Sequence, residues 1–90
     1  MATHQDAVKR AKQAERRRQK NRHYRSKMRN QIKKLLDTIS EKDAAGAQEE
    51  FRNTVSLIHR VAGKGIIHRN QAARRIRRLN KQVKDLGASA

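Results

Sequence analysis

The chain has 90 residues, and its 24 lysines and arginines against 8 aspartates and glutamates leave a formal net charge of +16. A chain of this length buries too little surface to enclose a deep active-site cleft, and its charge calls for a polyanionic partner. The lack of cysteine excludes disulfides, thiolate zinc sites and cysteine nucleophiles, and a single Phe and Tyr without Trp argue against a base-stacking platform.

The first predicted element is a long helix from Thr3 to about Ile39. This segment contains no Gly or Pro and consists mainly of good helix formers. Thr3 followed three residues later by Asp6 is typical of a helix start, because the two residues can cap each other. Over residues 28–39 the apolar residues recur at helical spacing and predict a face packed on a core, namely Met28, Ile32, Leu35, Leu36 and Ile39. A helix of this length would extend roughly 54 Å, beyond a small bundle.

The part of this helix before Met28 is basic on every side. Residues 9–29 hold eleven basic residues and one acid, Glu15. Three consecutive arginines, residues 16–18, point about 100° apart around a helix. A disordered basic tail fits the free protein but not this sustained helix-forming composition. We therefore predict a basic arm, residues 1–27, that orders on a polyanion and contacts phosphates on several sides.

A second helix is predicted after the short break SEKDAAG, residues 40–46. Asp43 is expected to cap its N-terminus, where nearby carboxylates favour the helix dipole. Its apolar stripe is expected to centre on Phe51, Val55, Ile58 and Ala62, with Leu57 and Val61 at its edges. Gly63 and Gly65 are expected to end the helix, since glycine readily adopts the left-handed conformation found past helix ends.

A third helix is predicted to end before Gly87. Its apolar stripe consists of Ala72 or Ala73, Ile76, Leu79, Val83 and Leu86. With no strand signal in competition, three amphipathic helices and short connections predict an all-α, antiparallel three-helix bundle over residues 28–87, with the long basic first helix extending beyond it. Residues 1–90 are expected to form one domain, and repulsion among the excess positive charges predicts marginal stability.

The stretch GKGIIHRN, residues 63–70, superficially resembles a nucleotide-binding loop. That motif requires Ser or Thr after the lysine and a preceding strand, whereas Gly65 follows Lys64 between two predicted helices. Histidines 59 and 68 have no partner at metal-ligand spacing, so His68 is either a solvated side chain or a phosphate or sugar contact. No nucleophile, base and orienting group converge, so no enzyme, metal or cofactor is expected. Ile66 and Ile67 are expected to close the end of the core, with Lys64, His68, Arg69 and Asn70 facing outward.

Other classes of basic protein fit less well. RNQAARR, residues 69–75, is similar to the basic region of zipper-type DNA-binding proteins, but only Gln71 separates its Asn from the Ala pair and no heptad run follows. The arm has the composition of a transit peptide without a cleavage-like break, and it lacks the apolar face of a membrane-surface helix. The longest apolar run is too short to span a bilayer, so the chain is expected to be soluble. A nucleoid-type or zipper-like DNA-binding protein remains the rival hypothesis.

Three segments carry a resemblance to a known family: the arm, the acidic turn with Asp37, Glu41, Asp43, Glu49 and Glu50, and the stretch GKGIIHRNQAARR. Together they resemble the bacterial small-subunit ribosomal protein family numbered twenty, over essentially the whole chain. In the first helix the resemblance rests on Ala2, His4, Ala7, Lys9, Arg10, Gln13, Glu15, Arg17, Arg18, Asn21, Ser26 and Lys33. In the most recognisable segment it rests on Lys64, Gly65, Ile67, His68, Asn70, Ala72, Ala73, Arg74 and Leu79. One departure is that this family reads basic-basic-small after the Ala-Arg step, where this chain has Arg75, Ile76 and Arg77. It leaves open which face of the third helix meets RNA and whether Ile76 is buried.

The resemblance implies a structural constituent of the small (30S) ribosomal subunit without catalysis or cofactor. It implies a long first helix that penetrates folded 16S RNA, binds its 5′ domain early in assembly and touches the long decoding-region helix. The expected partners are that RNA and, where present, other small-subunit components, with no membrane and no homo-oligomer, and the expected location is cytoplasmic and ribosome-bound. Together with the basic pattern, it predicts RNA contacts at His4, Lys9, Arg10, Lys12, Arg16, Arg17, Arg18, Lys20, Asn21, Arg22, Arg25, Ser26, Lys27, Arg29, Lys33, Lys64, His68, Arg69, Asn70, Arg74, Arg75 and Arg78.

Overall fold

Three helices make up the computed structural model, which describes residues 3–89 without the side chain of Ser89. Ala2, one of the residues that carry the resemblance, lies outside the described residues. The helices are α1, His4–Ser40, α2, Ala44–Gly63, and α3, Arg69–Ser89, and no strand occurs among the described residues. The prediction of an all-α bundle with a long first helix is confirmed. The molecule is elongated, with principal extents of 65 × 21 × 14 Å.

The predicted helix starts are confirmed at α1 and α2. The Asp6 amide donates to Thr3 Oγ1 at 3.2 Å, and the Thr3 amide donates to Asp6 Oδ2 at 3.3 Å, which completes a capping box. Asp43 Oδ1 accepts from the Gly46 amide at 3.0 Å and caps α2. A side chain at Gly46 would place a Cβ 2.8 Å from Asp43 Cγ, so any other residue there would require the Asp43 carboxylate to shift. The turn before it passes through Lys42 with φ 60°, in the left-handed region.

The predicted end of α2 is confirmed to within one residue, but the roles predicted for Gly63 and Gly87 need correction. Gly63 is the last residue of α2 and has no positive φ, and only Gly65, with φ 75°, adopts the left-handed conformation in this turn. Gly87 does not end α3 either, because the helix continues to Ser89. A single glycine near a helix end costs only about 1 kcal/mol relative to alanine, too little to stop a helix that nothing else breaks.

The core forms mainly where α2 packs between α1 and α3, which contact each other only slightly. Contacts run along α1 and α2 in opposite directions, since Gln31 meets Glu50 whereas Arg25 meets Ile66, and the pair is antiparallel. The largest fully buried side chains are Leu35, Ile58, Val61 and Thr54. α2 is therefore the central helix of the bundle.

The apolar stripes have the predicted helical periodicity, but some of the residues predicted to be buried are not. Leu36, expected in the core, is 39% exposed. On α2 the buried face contains Ala47, Thr54, Leu57, Ile58 and Val61, whereas Phe51 and Val55 are only half-buried. The prediction was correct for Ile58 and wrong for Phe51 and Val55, because small Ala47 and polar Thr54 were not counted as core residues. On α3, Ala72 is buried and Ala73 exposed, and Ile76 is half-buried against the core.

A polar cluster joins α1 to α2 beside this core. The Thr54 hydroxyl donates to the Glu50 carbonyl at 2.7 Å, which satisfies a hydroxyl that is completely buried. Gln31 Nε2 donates to Glu50 Oε2 at 2.8 Å and to Thr54 Oγ1 at 3.3 Å. Lys34 Nζ lies 3.7 Å from Glu50 Oε1. These contacts fix the register of the two helices, so the direction in which the arm leaves the bundle is set.

Candidate nucleic-acid interface

The arm leaves the bundle with all of its basic side chains exposed. Every residue from Thr3 to Lys20 is exposed, and only Asn21 and Tyr24 are half-buried before Met28. Among the described residues, Arg18 is the only basic residue of the arm in an ion pair, with Glu15 at 3.3 Å. Both side chains of that pair are more than half exposed, so it contributes little. The positive charge of the arm is thus left without internal compensation.

One side of this helix carries an open groove in which five of the eight lining residues are arginine. It has a volume of about 610 Å³ and is lined by Ala14, Arg17, Arg18, Asn21, Arg22, Arg25, Ser26 and Arg29. Like charges three and four residues apart on a helix repel each other, so this row destabilises the isolated helix. Anions laid along the groove would remove that repulsion. The arrangement is therefore suited to a chain of phosphates.

The connection between α2 and α3, residues 64–68, docks on the same part of α1. Lys64 Nζ lies 4.9 Å from the centroid of the Tyr24 ring, a cation–π contact. Arg25 Nη2 donates to the Ile66 carbonyl at 3.2 Å. Ile66 and Ile67 are 8% and 9% exposed, which confirms that they close the end of the core. The arm and this connection consequently form one continuous surface.

His68 has a role in the fold that the sequence pattern did not reveal. Its Nδ1 accepts from the Asn70 amide at 3.1 Å, and its carbonyl accepts from the Ala72 amide at 3.0 Å, so His68 caps α3. Nδ1 can accept only when it carries no proton, which leaves the ring proton on Nε2. The exposed imidazole therefore presents an N–H donor to the outside. Histidine is not among the preferred capping residues, so the pattern offered no signal for this role.

Most of the residues predicted to contact RNA are exposed to solvent. All of them are exposed except Asn21 and Arg75, which are half-buried. His4 lies alone at the start of the arm, and Lys33 lies one turn beyond Arg29 on α1. The remaining α1 positions run along the arm as far as Arg29. On the connection and α3, Lys64 contacts Tyr24 and Arg75 lines a cleft with Arg25 and Arg29. Sequence reasoning missed Gln71, which lies four residues before Arg75 on the same side of α3.

A second, smaller cleft lies where α1, the connection and α3 meet. Its volume is about 240 Å³, and its polar lining consists of Arg25, Arg29, Gln71 and Arg75. Arg25 and Arg29 also line the groove of the arm, so the two concavities share these two side chains. The arginines of the arm are thus followed by Arg75 on α3.

Negative charge collects at the other end of the molecule. Asp37, Glu41 and Asp43 lie around the turn between α1 and α2, and Glu49 and Glu50 follow in α2. Because α1 runs from the arm to this turn, acidic and basic residues are separated along its length.

Within residues 3–89, no three His, Cys, Asp or Glu side chains lie close enough to hold a metal ion. Over the same residues, no helix has both the length and the apolar character needed to cross a bilayer.

A helical bundle with a basic arm and an arginine-rich groove is the arrangement expected of a polyanion-binding protein. The family model for Ribosomal protein S20 matches residues 2–84. The small ribosomal subunit protein bS20 of Pseudomonas fluorescens (strain Pf0-1) is 50% identical over 90 residues, the whole of both chains. The bS20 protein of Geotalea uraniireducens (strain Rf4) is 45% identical over 87 residues, which cover 97% of this chain and all of the relative. The bS20 protein of Helicobacter hepaticus is 38% identical over 90 residues, the full length of both chains. The chain belongs to the ribosomal protein S20 family, which is not a class of enzymes.

Proposed function

We propose that this protein is a structural component of the small (30S) ribosomal subunit and binds 16S ribosomal RNA directly. Its full-length relatives are named small ribosomal subunit proteins, and the observation that supports direct RNA binding is the arm. The arm presents basic side chains on all sides, and Glu15 is its only acidic partner among the described residues. A helix charged in this way is stabilised by phosphates around it rather than by its own protein.

The arm, residues 1–27, is the element we assign to RNA insertion, and residues 28–87 are the bundle that anchors it. The part of α1 before Tyr24 spans about 30 Å at 1.5 Å per residue. That is long enough to lie along several phosphates of a folded RNA. The last turn of the arm also contacts the bundle through Tyr24 and Arg25, so the inserted helix has a fixed direction.

The connection and α3 supply the second group of proposed contacts. Lys64, Arg69 and Asn70 are exposed beside the base of the arm, and His68 presents its Nε2–H there. Arg74, Arg75 and Arg78 continue this basic surface along α3. The half-buried position of Ile76 turns its side of α3 toward the core, so RNA is expected on the sides that carry the arginines.

In the ribosome we place the protein on the 5′ domain of the small-subunit RNA, where it binds early in assembly and contacts the long decoding-region helix. It is then cytoplasmic and ribosome-bound, with RNA as its main partner and room for contacts with other small-subunit components. Catalysis, a cofactor, a membrane and self-association have no part in this role.

The test is a competition between 5′-domain RNA and random-sequence duplex DNA for the purified protein. We expect the RNA complex to survive an excess of duplex, because a structural ribosomal protein requires one folded RNA. Equal affinity for the two would contradict the proposal and favour a DNA-coating protein. Unfolded 5′-domain RNA, with its long-range pairing disrupted by mutation, is the matched control and should compete poorly.

A further inference from the structure

We propose that the smaller cleft, formed by α1, the connection and α3, binds one phosphate group of the RNA backbone and that this phosphate links α1 to α3. The inference rests on the proposed function, since it assigns one specific contact of the same RNA. It goes further in naming the residues that hold the phosphate and in predicting a consequence for the stability of the free protein.

The donors of the cleft come from two helices. Arg25 and Arg29 project from α1, and Gln71 and Arg75 project from successive turns of α3. The volume of about 240 Å³ is several times the roughly 30 Å³ that one water occupies in the liquid, so a phosphate group fits. Ile66 and Ile67 form the apolar base. A ligand there is held between α1 and α3.

The strongest indication of a binding site is Arg75. Its Nε atom is buried and has no hydrogen-bond partner among the described residues, whereas nearly all buried polar groups in proteins have one. Nε and an Nη of one guanidinium form a fork that matches two oxygens of a phosphate. Because Nε is closed to solvent, the Arg75 side chain has to rotate toward the cleft before an acceptor from outside the protein can reach this atom.

The charges of the cleft select an anion. None of its three arginines takes part in an ion pair with a carboxylate in the described part of the chain. One N–H group of Arg25 donates to the Ile66 carbonyl and satisfies that acceptor. The other N–H groups of this guanidinium can reach the cleft. The Gln71 amide adds a further donor, so the cleft offers N–H groups to both non-bridging oxygens of a backbone phosphate.

The same geometry explains why the phosphate would matter for the fold. α1 and α3 contact each other only slightly, so the cleft is the weakest side of the bundle. An anion held between Arg29 and Arg75 also relieves repulsion between the two guanidinium groups. Phosphate binding should therefore raise the stability of the bundle, by linkage.

The first experiment measures the thermal unfolding midpoint of the free protein, by circular dichroism, in inorganic phosphate and in chloride of equal ionic strength. The variants are Arg75→Gln and, as a matched control with the same charge, Arg77→Gln at an exposed position of α3 that is not a predicted contact. With phosphate at about ten times its dissociation constant, the shift in wild type and Arg77→Gln should exceed that in Arg75→Gln by roughly 5–10 °C. Because each shift is a phosphate-minus-chloride difference within one variant, a change in baseline stability cancels. Equal shifts in the two variants would overturn the site.

The second experiment identifies the source of the phosphate. Binding to 5′-domain RNA should be weakened by Arg75→Gln roughly tenfold more than by Arg77→Gln, because a charge-assisted bond is lost in addition to one charge. Equal weakening would overturn the assignment to the RNA backbone. The two experiments distinguish a failure of the phosphate site from a failure of the proposed function. The first experiment contains no RNA and tests the phosphate site alone. The proposed function fails if the wild-type protein does not prefer 5′-domain RNA.

Discussion

Replacing Arg16, Arg17 and Arg18 together by alanine tests whether RNA surrounds the arm. Arg17 and Arg18 line the arginine groove, whereas Arg16 lies on the opposite side of α1. Each phosphate contact contributes roughly 0.7–0.9 to the slope of log affinity against log salt concentration. Three lost contacts should therefore flatten the slope by about 2.1–2.7, whereas contacts on the groove side alone would flatten it by about 1.4–1.8.

The replacement leaves the helix itself in place. Alanine has a higher helix propensity than arginine, and the pair between Arg18 and Glu15 is exposed, so its loss costs little. Any change in the slope then reports on the partner rather than on the fold of the arm.

The assay is filter binding or fluorescence anisotropy with 5′-domain RNA at five or more salt concentrations. The matched control replaces Arg52, Arg60 and Arg77, which are equally exposed but are not predicted contacts, and removes the same total charge. Its slope should remain close to that of wild type. If both triple variants flatten the slope equally, the effect comes from net charge and the insertion of the arm into RNA is refuted.

Three other predictions concern the fold and its coupling to RNA. Leu35→Ala should lower the free energy of unfolding by about 2–5 kcal/mol, because Leu35 is fully buried. The control Leu36→Ala, at an exposed position, should change it by less than about 1 kcal/mol. Urea unfolding that ranks the two variants the other way contradicts the packing described. His68→Ala should lower the free energy of unfolding by about 0.5–2 kcal/mol, because the α3 cap is lost, and His68→Asn should restore most of that stability. Equal stabilities of the two variants in urea would show that the cap does not matter. In hydrogen exchange, amides of the arm should exchange rapidly in the free protein and slowly in the RNA complex; slow exchange without RNA would exclude folding coupled to binding.

The parts of this structure that could be predicted from the sequence depend on short-range interactions. Thr3 and Asp6 cap α1 from three residues apart, and Asp43 caps α2 in the same way. Helical periodicity likewise indicated three amphipathic helices, and the apolar pair Ile66 and Ile67 between two of them was correctly placed in the core. In each case a local signal is sufficient, because the interacting groups are close in the chain.

The parts that could not be predicted depend on contacts between distant residues. The bond from Arg25 to the Ile66 carbonyl spans 41 residues, and no periodicity indicates it. The burial of Thr54 depends on Gln31 and Glu50, which supply partners for a hydroxyl that would otherwise be costly to bury. For the same reason the cleft at Arg75 was not foreseen, since it exists only where three segments meet.

The separation of charge along the molecule has a consequence for how it meets its partner. With the arm positive and the turn near Asp43 rich in carboxylates, the protein carries a permanent electric dipole along its 65 Å axis. In the field of a polyanion this dipole experiences a torque that rotates the molecule until the arm leads. Encounters are therefore oriented before contact, which raises the fraction of collisions that are productive. The carboxylates then trail at the outer end, where they oppose insertion of the protein the wrong way round.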